Sequence, residues 1–170
     1  ARRYRYVLLN RRIRPGVLSG RVGWTHGPLN EEAMAAAAGC LVGKHDFTSF
    51  RASACQAKSP VKTLQRIEIT RTPSSMAAPP EGFAPCYWRF EFEANAFLHH
   101  MIRNIMGCLI TVGTGAQPAD WMKDVLAARN RDAAAPTFSP DGLYFLGPRY
   151  DDRWGIPQEV PGMAWLPGNS

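Results

Sequence analysis

The sequence predicts an α+β domain, a mixed and mainly antiparallel sheet with helices packed on one face. Residues 87–93 alternate strictly between apolar and polar side chains, the period of a strand with one buried face. Residues 97–113 repeat apolar side chains at helical spacing. The elements run strand, helix, hairpin, two helices, strand, with no internal repeat, and one sheet covered on one side by helices accommodates that order.

In chain order, residues 4–9 read as a strand, where Arg and Tyr alternate before Val7-Leu8-Leu9, and Arg14-Pro15-Gly16 ends the extended stretch. Asn30 is an N-cap before Glu31-Glu32, which suit the positive start of a helix, and the Ala-rich run through Cys40-Leu41-Val42 ends at Gly43. Residues 45–57 fit neither period and read as a loop, with Phe47 and Phe50 packing it onto the domain. Residues 61–71 read as a strand whose period slips once. Residues 72–85, with four Pro, form a connection, and the strand at 87–93 returns beside 61–71 as a long hairpin. The helix over 97–113 presents Phe97, Met101, Ile105, Cys108 and Val112 on one face and holds His100, Arg103 and Asn104 off its centre. Another helix starts at Pro118 and ends near Arg129, and residues 142–146 form a last short strand.

With 170 residues, of which 45% are hydrophobic, the chain can bury one sizeable core. No apolar run approaches the roughly 18 residues that a membrane-spanning helix needs, so no membrane partner is expected. The basic opening residues lack the apolar region of a signal peptide, and the cytoplasm is the expected compartment. The formal charge of +6 is unevenly spread: residues 1–30 hold seven Arg and no Asp or Glu. An Arg-only segment fits phosphate contact, hence RNA or DNA, and equally a solvated basic edge. Cys40, Cys55, Cys86 and Cys108 show no CxxC spacing and should be reduced thiols. His99 and His100 would point about 100° apart on a helix, unlike an i, i+4 zinc pair, and no metal is expected.

Four local sequences are too particular for packing alone: Arg2-Arg3-Tyr4-Arg5-Tyr6, DFTSFR at 46–51, ANAFLHHMIRNIMG at 94–107, and Gly142-Leu143-Tyr144. In order and approximate spacing, across residues 1–157, they resemble the C-terminal half of TruA-type tRNA pseudouridine synthases. The resemblance implies a pseudouridine synthase-like fold and isomerisation of uridines in the tRNA anticodon stem-loop. It further implies no cofactor, a homodimer, and an active site between two halves of the enzyme.

The family's nucleophile is an Asp in a Gly-Arg-Thr-Asp motif, and none of the seven Asp here has that context. The sequence also opens without Met, inside what would be the family's Arg-Tyr strand. The expectation is therefore a C-terminal domain at 1–157 and a flexible tail at 158–170, with the nucleophile on an absent N-terminal half, so that the chain alone is inactive.

Tyr4 and Leu143 match the family's active-site Tyr and Leu. A uridine taken out of its stack needs a wall to hold it. Tyr4 would stack on that base or move a proton at its reacting carbon; Leu143 serves either as wall or as core. Arg103 matches the Arg beside the catalytic Asp, where a guanidinium keeps a sheltered carboxylate ionised and oriented. Arg14 falls on a family arginine expected to contact RNA phosphate. Arg51 does too, although it could instead hold its loop to a carboxylate. Lys62 stands where the family often has Arg, and His99 and His100 could reach RNA or cap the helix start. A stand-alone basic RNA-binding module without catalysis is the competing reading. The joint presence of Tyr4, Arg103 and Leu143 argues against it.

Overall fold

The computed structural model describes residues 1–74 and 82–157. The expected tail at 158–170 and the middle of the Pro-rich connection lie outside them. Six strands, β1 (Arg2–Asn10), β2 (Gly23–Thr25), β3 (Gly43–Asp46), β4 (Val61–Pro73), β5 (Cys86–Ala94) and β6 (Leu143–Pro148), form one sheet. Three α-helices, α1 (Glu31–Gly39), α2 (Met101–Gly113) and α3 (Trp121–Ala128), occur among the described residues.

The sheet order is β2-β1-β5-β4-β3, with β6 also paired to β1. β5 runs along the whole of β1, so β2 and β6 divide the other edge: β2 pairs with Leu8, Leu9 and Asn10, and β6 with the stretch from Arg2 to Tyr6. Among the described residues only the β1–β2 pairing is parallel, which makes the sheet mixed and mainly antiparallel.

Alternation decides which side chains meet the helices. β5 buries Trp88, Phe90 and Phe92, which stand opposite Leu8, Tyr6 and Tyr4 of β1 respectively. The core formed with Met34 and Leu41 and with Met101, Ile105 and Leu109 of α2 lies on this face. The reverse face is charged where the first is aromatic: Arg5 pairs with Glu91 at 2.7 Å, and Arg149 with Glu93 at 3.1 Å. A small second cluster of Val7, Leu9, Val22 and Leu146 covers part of it.

The slipped period in β4 is a bulge, since pairing with β5 shifts register between Leu64 and Arg66 and restores Ile67 and Ile69 to the core face. Elsewhere the structure corrects the sequence reading. Residues 43–46 are a strand, because Gly43 (φ 117°) turns the chain from α1 onto the edge of β4. α1 stops at Gly39, where the Cys40 and Leu41 amides bond to the Ala37 and Ala38 carbonyls and tighten the last turn. β2 has no expected counterpart. α2 starts at Met101, four residues later than its apolar period suggests. Phe97 instead packs edge-on against Tyr4, and His100 (φ 60°) makes a left-handed turn before the helix.

Candidate active site

A cavity of about 420 Å³ opens where the left-handed turn, α2 and the β1–β6 edge meet. Tyr4, Arg103 and Leu143 all line it, together with Phe97 and His100. Residues far apart in the chain, one per element, are thus brought to one place. None of the chain's seven Asp, all of them described, lines it.

Tyr4 reaches the cavity because β1 alternates: Tyr4 and Tyr6 share the helix-side face, and Arg3 and Arg5 the other. Its half-buried ring is held by Phe97 (centroids 5.2 Å apart, planes at 81°) and by Phe145 across the strand pair (5.0 Å). Such aromatic contacts fix a ring's plane while leaving one side to the cavity. Leu143 opens β6 opposite Tyr6, with its amide bonded to the Pro140 carbonyl at 3.1 Å. Gly142 before it has to be glycine. Its carbonyl takes the Val7 amide at 2.8 Å, and a Cβ would stand against the Val7 carbonyl oxygen.

Arg103 lies in the first turn of α2. Its Nε donates to the Phe138 carbonyl at 2.8 Å, and its own carbonyl accepts from the Phe138 amide at 3.2 Å. Its terminal amino groups make no hydrogen bond or ion pair with the described residues, and the side chain lines the cavity. Tyr6 secures the same segment from below, donating its hydroxyl to the Ser139 carbonyl at 2.7 Å, and burial pushes its phenol pKa upward. Around His100 the field is positive. Desolvation and then His99, Arg103 and Arg131 lower its pKa, which favours a neutral imidazole. The His99 and His100 rings stack at 4.0 Å. Among the described residues no group of three or more His, Cys, Asp or Glu could hold a metal ion.

The two other sequence-predicted residues lie outside this cavity. Exposed Arg14 stacks over Trp24 at 4.7 Å, beside a separate cleft of about 260 Å³ that Phe138, Ser139 and Asp141 also line. Arg51 donates to the Cys55 and Ala57 carbonyls at 2.7 and 2.8 Å, holding its own loop through backbone oxygens instead of a carboxylate. Phe47 and Phe50 are fully buried, the packing role expected of them.

Asn104 is the residue whose role sequence reasoning missed. Expected off the centre of the apolar face, it is fully buried and bonded on both ends of its amide. Its signal was a polar residue one position from Arg103 amid an apolar run, where burial demands partners. Tyr6 could have been found from its shared face with Tyr4.

Fold and cavity together define an α+β domain with a pocket in the size range of small-ligand sites, walled by an aromatic ring, an aliphatic side chain and a guanidinium. Residues 37–151 match the family model described as tRNA pseudouridine synthase, and the chain belongs to that family. Among curated relatives, tRNA pseudouridine synthase A of Paracidovorax citrulli is 65% identical over 173 residues, covering 98% of this chain and 62% of that protein. The protein of the same name from Acidovorax sp. (strain JS42) is 63% identical over 169 residues, with the same coverage. That from Delftia acidovorans is 60% identical over 177 residues, covering 98% of this chain and 63% of its own length. The chain therefore spans about three fifths of the relatives it matches.

Proposed function

We propose that this chain is the C-terminal domain of a tRNA pseudouridine synthase and supplies most of the pocket in which a uridine of the anticodon stem-loop is isomerised. The observation that carries the reading is the convergence of Tyr4, Arg103 and Leu143 on one cavity that no Asp of the chain lines.

Isomerisation breaks the bond from the base nitrogen N1 to the ribose, rejoins the ribose to the base carbon C5, removes the C5 proton and leaves a proton on N1. The base must be out of its stack throughout. Tyr4, braced by Phe97 and Phe145, stacks on it, and Leu143, on the neighbouring strand β6, adds an aliphatic wall. Arg103, anchored at Nε, offers its terminal amino groups to a carboxylate from outside this chain, the family's nucleophilic Asp on an N-terminal half. A neighbouring guanidinium keeps that carboxylate ionised in a sheltered site. Arg14 contacts tRNA phosphate, and the Arg-only first thirty residues supply a sequence-independent attraction. Arg51 holds its loop through one terminal nitrogen, which donates to two carbonyls, and its remaining donors face an RNA phosphate. No cofactor is required. The assembled enzyme is a cytoplasmic homodimer.

Tritium release from a tRNA transcript carrying 5-tritiated uridine tests the reading. The chain alone should bind tRNA in a salt-sensitive manner and release none, whereas the full-length protein should release it. Release by the chain alone would assign the attack to one of its own seven Asp and overturn the placement of the site.

A further inference from the structure

Residues 130–139 cross the N-terminal half of α2 without a helix or strand of their own beyond one short 3-10 turn (Arg131–Ala133). Their position is set by side chains. Asn104 Oδ1 accepts from Thr137 Oγ1 at 2.7 Å and from Arg131 Nη2 at 3.0 Å, while its Nδ2 donates to the Phe50 carbonyl at 2.8 Å. Arg131 adds bonds to Thr137 Oγ1 at 3.0 Å and to the Ala135 carbonyl at 2.9 Å. The next residue after Thr137 is Phe138, whose carbonyl holds Arg103 Nε.

We propose that the Asn104–Thr137–Arg131 cluster is a positioning device for Arg103: it fixes the Phe138 carbonyl, and through it the direction of the guanidinium in the cavity. This rests on the reading of Arg103 as the guanidinium of the active site. Asn104 suits the task because a buried amide offers a donor and an acceptor at once, so one side chain ties α2 to the loop at Phe50 and to the segment at Thr137. Removing Thr137 Oγ1 releases one tie to the segment while Asn104 Oδ1 keeps Arg131 as donor, and no buried acceptor is orphaned. Thr137 is also exposed, whereas Asn104 is fully buried and its loss endangers the fold.

The test compares Thr137→Val, Thr137→Ser and Arg103→Lys in the full-length protein, by single-turnover tritium release, tRNA binding and thermal melting. Thr137→Val should slow the chemical step about tenfold, the scale of a small misplacement of a reacting group, with tRNA affinity and Tm nearly unchanged. Thr137→Ser, which restores the hydroxyl, should return the rate. If Thr137→Val matches wild type while Arg103→Lys is impaired, the positioning role is wrong and the reading of Arg103 stands. If both match wild type, the reading of Arg103 fails and the positioning role falls with it. A rate loss that Ser does not rescue, or that tracks an equal loss of binding or Tm, would make the cluster merely structural and overturn the proposal.

Discussion

Single side chains here do work that their residue type alone does not announce. Asp46 belongs to the DFTSFR loop, and its carboxylate accepts from the Thr48 hydroxyl at 2.6 Å and the Thr48 amide at 2.9 Å, with Arg129 at 3.8 Å. The Thr48 hydroxyl is the main cause holding the Asp46 carboxyl below its ordinary value of 3.8. A carboxyl lowered by folding stabilises the native state above its unfolded pKa and loses that contribution as pH falls through its folded one. Asp46→Ala should therefore cost about 1 kcal/mol at neutral pH, the usual net worth of an intramolecular hydrogen bond, and the difference should shrink once the pH is below 3.8. Denaturant melts of both proteins at neutral and acid pH check this; an unchanging gap would contradict it. Such roles escaped the sequence unevenly. The place of Tyr4 beside the cavity was legible through its motif, but the partners of Arg103 and Asn104 lie 35 and 33 residues away in the chain, beyond any local pattern.

At the level of elements, legibility followed periodicity. β5 shows the alternation its sequence announces, burying every second residue from Cys86 to Ala94, and the single slip in β4 became a bulge. β2 was illegible because three residues carry no period; it fits because β6 begins opposite Tyr6 and leaves Leu8 to Asn10 of β1 unpaired on that edge. The start of α2 was misread because Phe97 continues the apolar spacing while serving as a wall for Tyr4. The junction of β1, β2 and β6 is so close that it tolerates no side chain at Gly142, where a Cβ would also come within 2.7 Å of the Gly23 amide nitrogen. Gly142→Ala should destabilise the domain by about 1–3 kcal/mol, the range for overpacking against atoms that cannot yield. Gly16→Ala, where a Cβ meets nothing within 4 Å, is the control and should stay within about 0.5 kcal/mol in the same urea titration. Equal midpoints for the two variants would remove the packing explanation.

Over the whole molecule, the basic segment was visible as a sum and hidden as a distribution. Among its seven Arg, Arg5 is 5% exposed and paired with Glu91, whereas Arg14 is exposed on Trp24. Sequence charge therefore overstates the number of arginines available to a phosphate backbone. What the fold does concentrate is the cavity at the head of α2, where the β1–β6 edge supplies Tyr4 and Leu143 and the helix supplies Arg103. On the proposed reading Arg103 acts on the chemical step and not on tRNA capture. Arg103→Lys in the full-length protein, measured by single-turnover tritium release and by tRNA binding under the same salt, separates the two. The lysine keeps the charge but loses the fork that spans the Phe138 carbonyl and a carboxylate, so the rate should fall far more than the affinity. Equal losses in rate and binding would place Arg103 among the phosphate contacts and remove it from the chemical step.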